Sequence, residues 1–253
     1  MTLSRAIISP NGREDTTTFI DGVRSTHPIE DIGNVFAWDS ISRTYDAEGR
    51  NLQQIRTNDD DQTDTTNYDA EGMTLSLAIA YADGRKSLST FTDGRADTTE
   101  YDAEGVTLSH AITYNDGREA LTTFTDGVRY TYLIEDSADA FAWESVGRAY
   151  DAAGRNLQEV RINDDGRTFV SDFLEGSRSQ TVATDVENVR NWSSYTDTFN
   201  EEGDRVSRTM TYDDGSATLG EDDISVLINV SGSVVDTSDS LTFEILDAPT
   251  DAN

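Results

Sequence analysis

Residues 1–60 laid over residues 106–165, an offset of 105, agree at 36 of 60 positions without a gap. Gly12 falls on Gly117, Phe19 on Phe124, and Asp21-Gly22-Val23-Arg24 on Asp126-Gly127-Val128-Arg129. The match runs on through Phe36-Ala37-Trp38 over Phe141-Ala142-Trp143 to Tyr45-Asp46 over Tyr150-Asp151. A match of this length is an internal duplication, and it restricts the chain to folds in which one small unit packs against its own copy. A more diverged copy lies at an offset of 49, with Phe173 on Phe124, Gly176 on Gly127, Trp192 on Trp143 and Gly203 on Gly154. Three long units result, 19–67, 124–172 and 173–221, with a short unit around 73–105. Phe91 to Tyr101 is a step of ten residues where Phe124 to Tyr150 is 26, so the short unit lacks the 16 residues that carry the tryptophan. That length suits loss of a whole hairpin, two strands of about six residues plus turns.

Turn residues set the architecture. Asp-Gly recurs at 21–22, 83–84, 93–94, 116–117, 126–127, 165–166 and 214–215, with Asn11-Gly12 as a variant. A two-residue type I′ turn needs positive φ at both central residues, which Asp or Asn followed by Gly adopts at low cost. A second turn reads Tyr-Asp-Ala-Glu-Gly at 45–49, 68–72 and 101–105, and in altered form at 150–154 and 199–203. It suits a longer loop closed by a left-handed glycine. The two turns alternate, and the runs between them are rich in Thr, Val, Ile, Tyr and Phe, as in Thr107–Tyr114. No segment holds a helical apolar period. The expected fold is all-β, an antiparallel β-hairpin repeat array over 1–221, arranged as a meander, solenoid or spiralling sheet. Unequal units argue against propeller blades. Residues 222–253 read as a C-terminal β cap and tail, with strands at Ile224–Val230 and Leu241–Leu246 covering the last repeat.

Charge narrows the partners. Asp and Glu number 49 against 19 Lys plus Arg, for a formal net charge of -30, and Lys86 is the only lysine. Such a surface repels nucleic acid and anionic membranes and favours cations or cationic partners. With no cysteine, disulfides and thiolate chemistry are excluded. No run approaches the ~18 apolar residues of a membrane-spanning helix. Met1–Arg5 has no apolar signal-peptide core, so export would be leaderless or would belong to a longer chain.

Tyr-Asp-Ala-x-Gly-Arg, followed by Tyr-x-Asp-Gly-Arg, occurs most clearly in Tyr45–Arg50, Tyr101–Arg118 and Tyr150–Arg167. At these motifs the chain resembles the bacterial YD-repeat (RHS-type) family and the hairpin repeats of the MORN-variant kind, over nearly all of 1–221. The resemblance implies a secreted or surface β-shell that carries toxins or adhesion modules. The chain departs from that pattern in having no processing-protease signature, no toxin domain and a tryptophan hairpin in its long units.

Catalytic groups are scarce. His27 and His110 sit at unrelated repeat positions, their counterparts being Tyr132 and Arg5, so neither a triad nor a zinc motif can be assembled. Carboxylates recur at every turn, where a glycosidase pair would have to be unique. The expectation is therefore no enzyme, with a polysaccharide-cleaving activity as the remote alternative. Oxygen-rich turns offer candidate metal ligands, Asp59, Asp60, Asp61, Asp164, Asp165, Asp213 and Asp214, and the ion that suits them is calcium (Ca2+). Ordinary solvated turns would look the same. Trp38, Trp143 and Trp192 share one repeat position, with Phe36 and Phe141 two residues ahead of the first two and so expected on the same strand face. These aromatics read as sugar-ring platforms, as the anchor of each unit's small core, or as a contact row for other protein chains. Arg24, Arg50, Arg129, Arg155 and Arg178 are expected to pair with acidic neighbours or lie over Tyr and Phe rings. The functional expectation is a secreted or cell-surface structural and adhesive module, open to homo-oligomer formation. A lectin-like module binding cell-surface polysaccharide is the alternative.

Overall fold

The computed structural model describes residues 1–221 and 224–228. They form β-strands joined by short turns, with no helix, hence none long and apolar enough to cross a membrane. The chain divides into two units, 1–127 and 128–253. The first holds β1 (Thr2–Ile8), β2 (Arg13–Ile20), β3 (Val23–Asp31), β4 (Trp38–Tyr45), β5 (Asn51–Asn58) and β6 (Thr63–Tyr68). It continues with β7 (Thr74–Ala80), β8 (Lys86–Thr92), β9 (Arg95–Tyr101), β10 (Thr107–Thr113) and β11 (Arg118–Thr125). The second holds β12 (Val128–Asp136), β13 (Ser145–Tyr150), β14 (Asn156–Ile162), β15 (Arg167–Leu174) and β16 (Ser177–Asp185). It ends with β17 (Trp192–Phe199), β18 (Arg205–Tyr212), β19 (Ala217–Glu221) and β20 (Ile224–Ile228). Within each unit every strand pairs antiparallel with the next, so each is a meander of hairpins. The C-terminal strand expected from Ile224 is β20, which extends the meander by pairing Leu219 with Val226. The expected strand at Leu241–Leu246 lies outside the described residues.

The Asp-Gly turns fall into two backbones that share one dipeptide. After Phe-x, at Asp21-Gly22, Asp93-Gly94 and Asp126-Gly127, both residues have positive φ, as a two-residue type I′ turn requires. Glu175-Gly176 does the same. At Gly12, Gly84, Gly117, Gly166 and Gly215 only the glycine is left-handed. There the loop is wider: Tyr81 N–H donates to Arg85 O at 3.0 Å and Gly84 N–H to Tyr81 O at 3.0 Å. Asp46 and Gly49 of the Tyr-Asp-Ala-Glu-Gly turn make the same pair of bonds, from Asp46 N–H to Arg50 O and from Gly49 N–H to Asp46 O. These turns therefore belong with the second class, not with type I′.

Each Tyr-Asp turn also carries a β-bulge. Thr44 faces Gln53 and Tyr45 faces Asn51, which leaves Leu52 as the extra residue. Leu75, Leu108, Leu157 and Val206 stand in the same place, and all five are exposed.

The short unit differs from the expectation of a lost hairpin. Between the turn at Gly94 and the turn at Tyr101 runs one strand, β9. The first long unit places β3, a loop and β4 between the corresponding turns. The 16 residues are thus one strand and a loop. An odd change in strand count reverses the direction of the next copy, so β10, the copy of β1 and nine strands on, runs opposite to it. Copies 49 residues apart differ by four strands and keep both direction and row. Thr131 pairs with Ala149, Ala149 with Gln158, Gln158 with Asp172 and Asp172 with Gln180, which is the copy of Thr131.

Little apolar core accompanies these ladders. Ile29 and Ala120 in the first unit and Tyr150 and Ala183 in the second are the buried apolar residues, and no large side chain is fully buried among the described residues. Cross-strand contacts do the holding. Arg24 lies over Tyr45 at 5.2 Å, Arg129 over Tyr150 at 5.3 Å, and Arg178 over Phe199 at 5.6 Å. Arg50 and Arg155 instead bind their own turn aspartates, Asp46 at 2.7 Å and Asp151 at 2.8 Å. Ser171 and Thr181 share a buried hydroxyl bond of 2.8 Å, and Arg208 grips Asp197 with two contacts of 2.6 Å.

Candidate functional site: a loop built three times

The long units differ from the short one by a strand and a loop, and the loop's three copies are made alike. Strand β3 ends at Asp31, β12 at Asp136 and β16 at Asp185, which are copies of one another. These aspartates are 9%, 8% and 6% exposed, among the most buried polar residues of the chain. Oδ2 of Asp31 accepts from Val35 N–H at 2.7 Å and Phe36 N–H at 2.6 Å. Oδ2 of Asp136 accepts from Phe141 N–H, and that of Asp185 from Arg190 N–H, both at 2.5 Å. Three residues beyond each Asp the chain turns left-handed, at Asn34 (φ 48), Asp139 (φ 54) and Asn188 (φ 55). Asn and Asp tolerate that conformation better than other side chains. A carboxylate bonded to backbone N–H groups is a strong, short tether, so each loop is pinned to the strand that precedes it. Oδ1 of all three aspartates is buried without a hydrogen-bond partner.

The pinned segment delivers the aromatics. Phe36 stacks on Trp38 at 5.1 Å and 10° between planes, and Phe141 on Trp143 at 5.5 Å and 19°. In the third copy, where Arg190 replaces the Phe, Trp192 instead meets Tyr195 edge-on at 5.2 Å. Strand alternation is not what brings these rings together. Phe36 and Phe141 lie on bends ahead of β4 and β13, and it is the loop tether that folds them onto the indoles. All three tryptophans are half-buried, neither core nor fully displayed, while Ile32, Val35, Val186 and Val189 in the same loops are exposed.

The acidic turns lie beside these loops. Trp38 pairs with Asn58 and Trp192 with Tyr212, each the first residue of an acidic turn. Three of the seven expected metal ligands have carboxylates committed to their own turns. Asp60 accepts from Gln62 N–H at 3.2 Å, Asp165 binds Arg167 at 2.7 Å, and Asp214 accepts from Ser216 N–H at 2.9 Å and its hydroxyl at 2.6 Å. Asp61 holds the left-handed position (φ 62) that Gly166 takes in the next copy. Among the described residues no group of three or more His, Cys, Asp or Glu side chains is arranged to hold a metal ion. The carboxylates of Asp59, Asp61, Asp164 and Asp213 lie outside those hydrogen bonds, and Asp213 has a further interaction of its own. Asp164 is held above the ordinary carboxylate range, by partial desolvation first and then by the charges of Asp139, Asp136, Asp165 and Glu144. In the third copy Asn191, Tyr212, Asp213, Asp214 and Ser216 line an open hollow of about 480 Å³.

The histidines are placed as strand residues. His27 Nε2 is 3.5 Å from Asp15, and burial, then Arg24, lowers its pKa. His110 Nε2 is 3.4 Å from Asp97.

Asp31, Asp136 and Asp185 were not distinguishable as site residues in the sequence by density of charge, since each stands apart from the acidic runs. Their signal was identity at one position in all three copies, immediately before a segment of variable sequence. No family model matches the chain, and no curated protein matches it.

Proposed function

We propose that the chain is a non-enzymatic structural and adhesive repeat module, secreted or exposed at a cell surface, that contributes to a larger assembly. One observation carries this reading. The most elaborate feature of the molecule, a loop tethered by a buried aspartate, is repeated three times with its aromatics half-exposed. A catalyst concentrates unlike groups at one place, whereas a contact surface gains from repeating like ones, because linked weak contacts add through effective concentration. The resemblance to YD repeats, which form secreted or surface shells, points the same way. Light scattering of the whole chain with and without calcium tests the assembly. Growth in particle mass with concentration is expected, and a strict monomer that binds no cell surface would overturn the reading.

The half-exposed indoles favour a second reading, binding of cell-surface polysaccharide by Trp38, Trp143 and Trp192. A glycan array compares the native chain with the variant Trp38→Ala, Trp143→Ala, Trp192→Ala. Retention lost only in the variant supports it.

A further inference from the structure

We infer that the outer edge of β1 is a docking edge for an extended acidic strand of a partner chain, an Asp-Thr-Thr-x-Tyr segment added antiparallel with its aspartate beside Arg5. The inference rests on the reading of the chain as part of a larger assembly and names the joint. Among the described residues β1 pairs with β2 alone. Asp21 N–H donates to Met1 O and Ser9 N–H to Arg13 O, so the odd-numbered residues of β1 turn their backbone groups toward β2. Thr2, Ser4, Ala6 and Ile8 therefore turn theirs outward, where an added strand can pair with them.

The chain itself shows what covers such an edge. Strands β5, β7, β10, β14 and β18 hold the place of β1 in the repeat, and each is paired on both sides. Two of them nearly reproduce its sequence. Thr2-Leu3-Ser4-Arg5-Ala6-Ile7 reads against Thr74-Leu75-Ser76-Leu77-Ala78-Ile79 in β7 and Thr107-Leu108-Ser109-His110-Ala111-Ile112 in β10. The strands that cover these two also agree, Asp64-Thr65-Thr66-Asn67-Tyr68 in β6 and Asp97-Thr98-Thr99-Glu100-Tyr101 in β9. Their register is the same, with Thr65 facing Ala78 and Thr98 facing Ala111. Under that cover residues 76–79 and 109–112 are half-buried, whereas Ser4, Arg5, Ala6 and Ile7 are all exposed, Ile7 at 44%.

Arg5 specifies the acid. At its position the other copies reach across to the covering strand. Gln54 accepts from Arg43 Nε at 2.8 Å, and Glu159 accepts from Arg148 Nε at 2.6 Å. His110 lies 3.4 Å from Asp97, and Arg208 holds Asp197 with two contacts of 2.6 Å. Leu77 is the apolar exception. Arg5, the sole charged residue of β1, has no ion pair among the described residues. A strand added in the β9 register sets its Asp opposite Ile7 and on the face of Arg5, the diagonal arrangement that Asp97 has to His110. Backbone bonds supply the affinity of such an addition, and the charge pair fixes its register.

The test uses the full chain and the peptide acetyl-Arg-Ala-Asp-Thr-Thr-Glu-Tyr-amide, the sequence of Arg95–Tyr101, with amide exchange and chemical shifts followed by NMR. Saturable binding is expected to slow exchange at Ser4, Ala6 and Ile8. Leu3, Arg5 and Ile7 should stay as they are, since their N–H groups already face β2. Arg5→Glu should weaken binding about fivefold, an exposed attraction having become a repulsion. The peptide with Arg in place of its Asp should recover that loss on the Arg5→Glu chain. Ala6→Pro removes an outward N–H, which an edge strand tolerates, and should abolish binding while the β1–β2 ladder stays intact. Equal affinity of the native and Arg5→Glu chains, no recovery by the exchanged peptide, or native binding by Ala6→Pro would each overturn the inference. Protection of Ser4 and Ala6 in the chain without peptide would also overturn it, because the edge would then be filled by the chain itself or by a second copy. A chain that assembles in light scattering while failing these tests loses the joint alone and keeps the adhesive reading.

Discussion

The first long unit and the short unit solve the same connection differently. Between equivalent turns one uses β3, a pinned loop and β4, while the other uses β9 alone. Strand β9 closes on local pairs: Arg95 with Asp97 at 2.7 Å, both part-exposed, and a Ser89–Thr98 hydroxyl bond of 2.9 Å. The long unit instead buries a carboxylate to hold a loop that faces outward. The short form shows that the meander can be continued without the loop. What the loop adds is a displayed surface, obtained at the cost of a buried charge.

That contrast can be broken by comparing two aspartates. Asp31→Ala removes two charge-assisted bonds from a buried group and should lower stability by about 1–3 kcal/mol. Asp97→Ala in β9 should cost less than ~1 kcal/mol, as exposed ion pairs do. Urea unfolding of the two variants decides, and equal losses would mean that the loop tether is energetically idle. At the turns, Gly22→Ala meets a φ of 86 and should destabilise by roughly 1 kcal/mol. Asp61→Gly, which copies Gly166 into the first unit, should stabilise by up to about 1 kcal/mol. A loss in the second variant would show that the Asp61 side chain has another duty. A smaller change, about 0.5–1 kcal/mol, is expected for Arg24→Ala through the lost Tyr45 ring contact, read as a shift in the urea midpoint.

The smallest effect concerns pH. His27 in β3 has its pKa lowered in the folded chain by burial and by Arg24, against the pull of Asp15. Its contribution to stability is thus complete above the ordinary value of 6.5 and declines as pH falls through the folded value. His27→Tyr, the residue found at Tyr132, should flatten the stability profile between neutral and mildly acid pH. A steeper profile in the variant would contradict the assignment.

Much of the fold was legible because its instructions are local. A turn is set within five residues, so Gly49, Gly72, Gly105, Gly154 and Gly203 mark their loops as clearly in sequence as their positive φ does in the structure. The type I′ Asp-Gly turns are written locally too, in Phe-x-Asp-Gly at 19–22, 91–94 and 124–127, whereas the wider turns follow Tyr, Asn or Ser at that place, so the dipeptide alone conceals the difference. The site was less legible. The tryptophans were identifiable by their repeat position, but their partners depended on a bend, not on strand alternation. In the oxygen-rich turns the carboxylates of Asp60, Asp165 and Asp214 serve their own N–H groups or arginine, a role that the density of acids along the sequence does not display.

By itself the sequence determined a duplicated all-β chain, the alternation of its turns, and the three places where a tryptophan-bearing segment is inserted. Only the tertiary structure decided that the insertion is a single strand and loop, and hence that β10 runs opposite to β1. It alone decided that Asp31, Asp136 and Asp185 are buried among so many exposed acids. The physical reason is range. Turn geometry is fixed by neighbours along the chain, whereas burial of a carboxylate and the direction of a strand depend on which segments end up side by side.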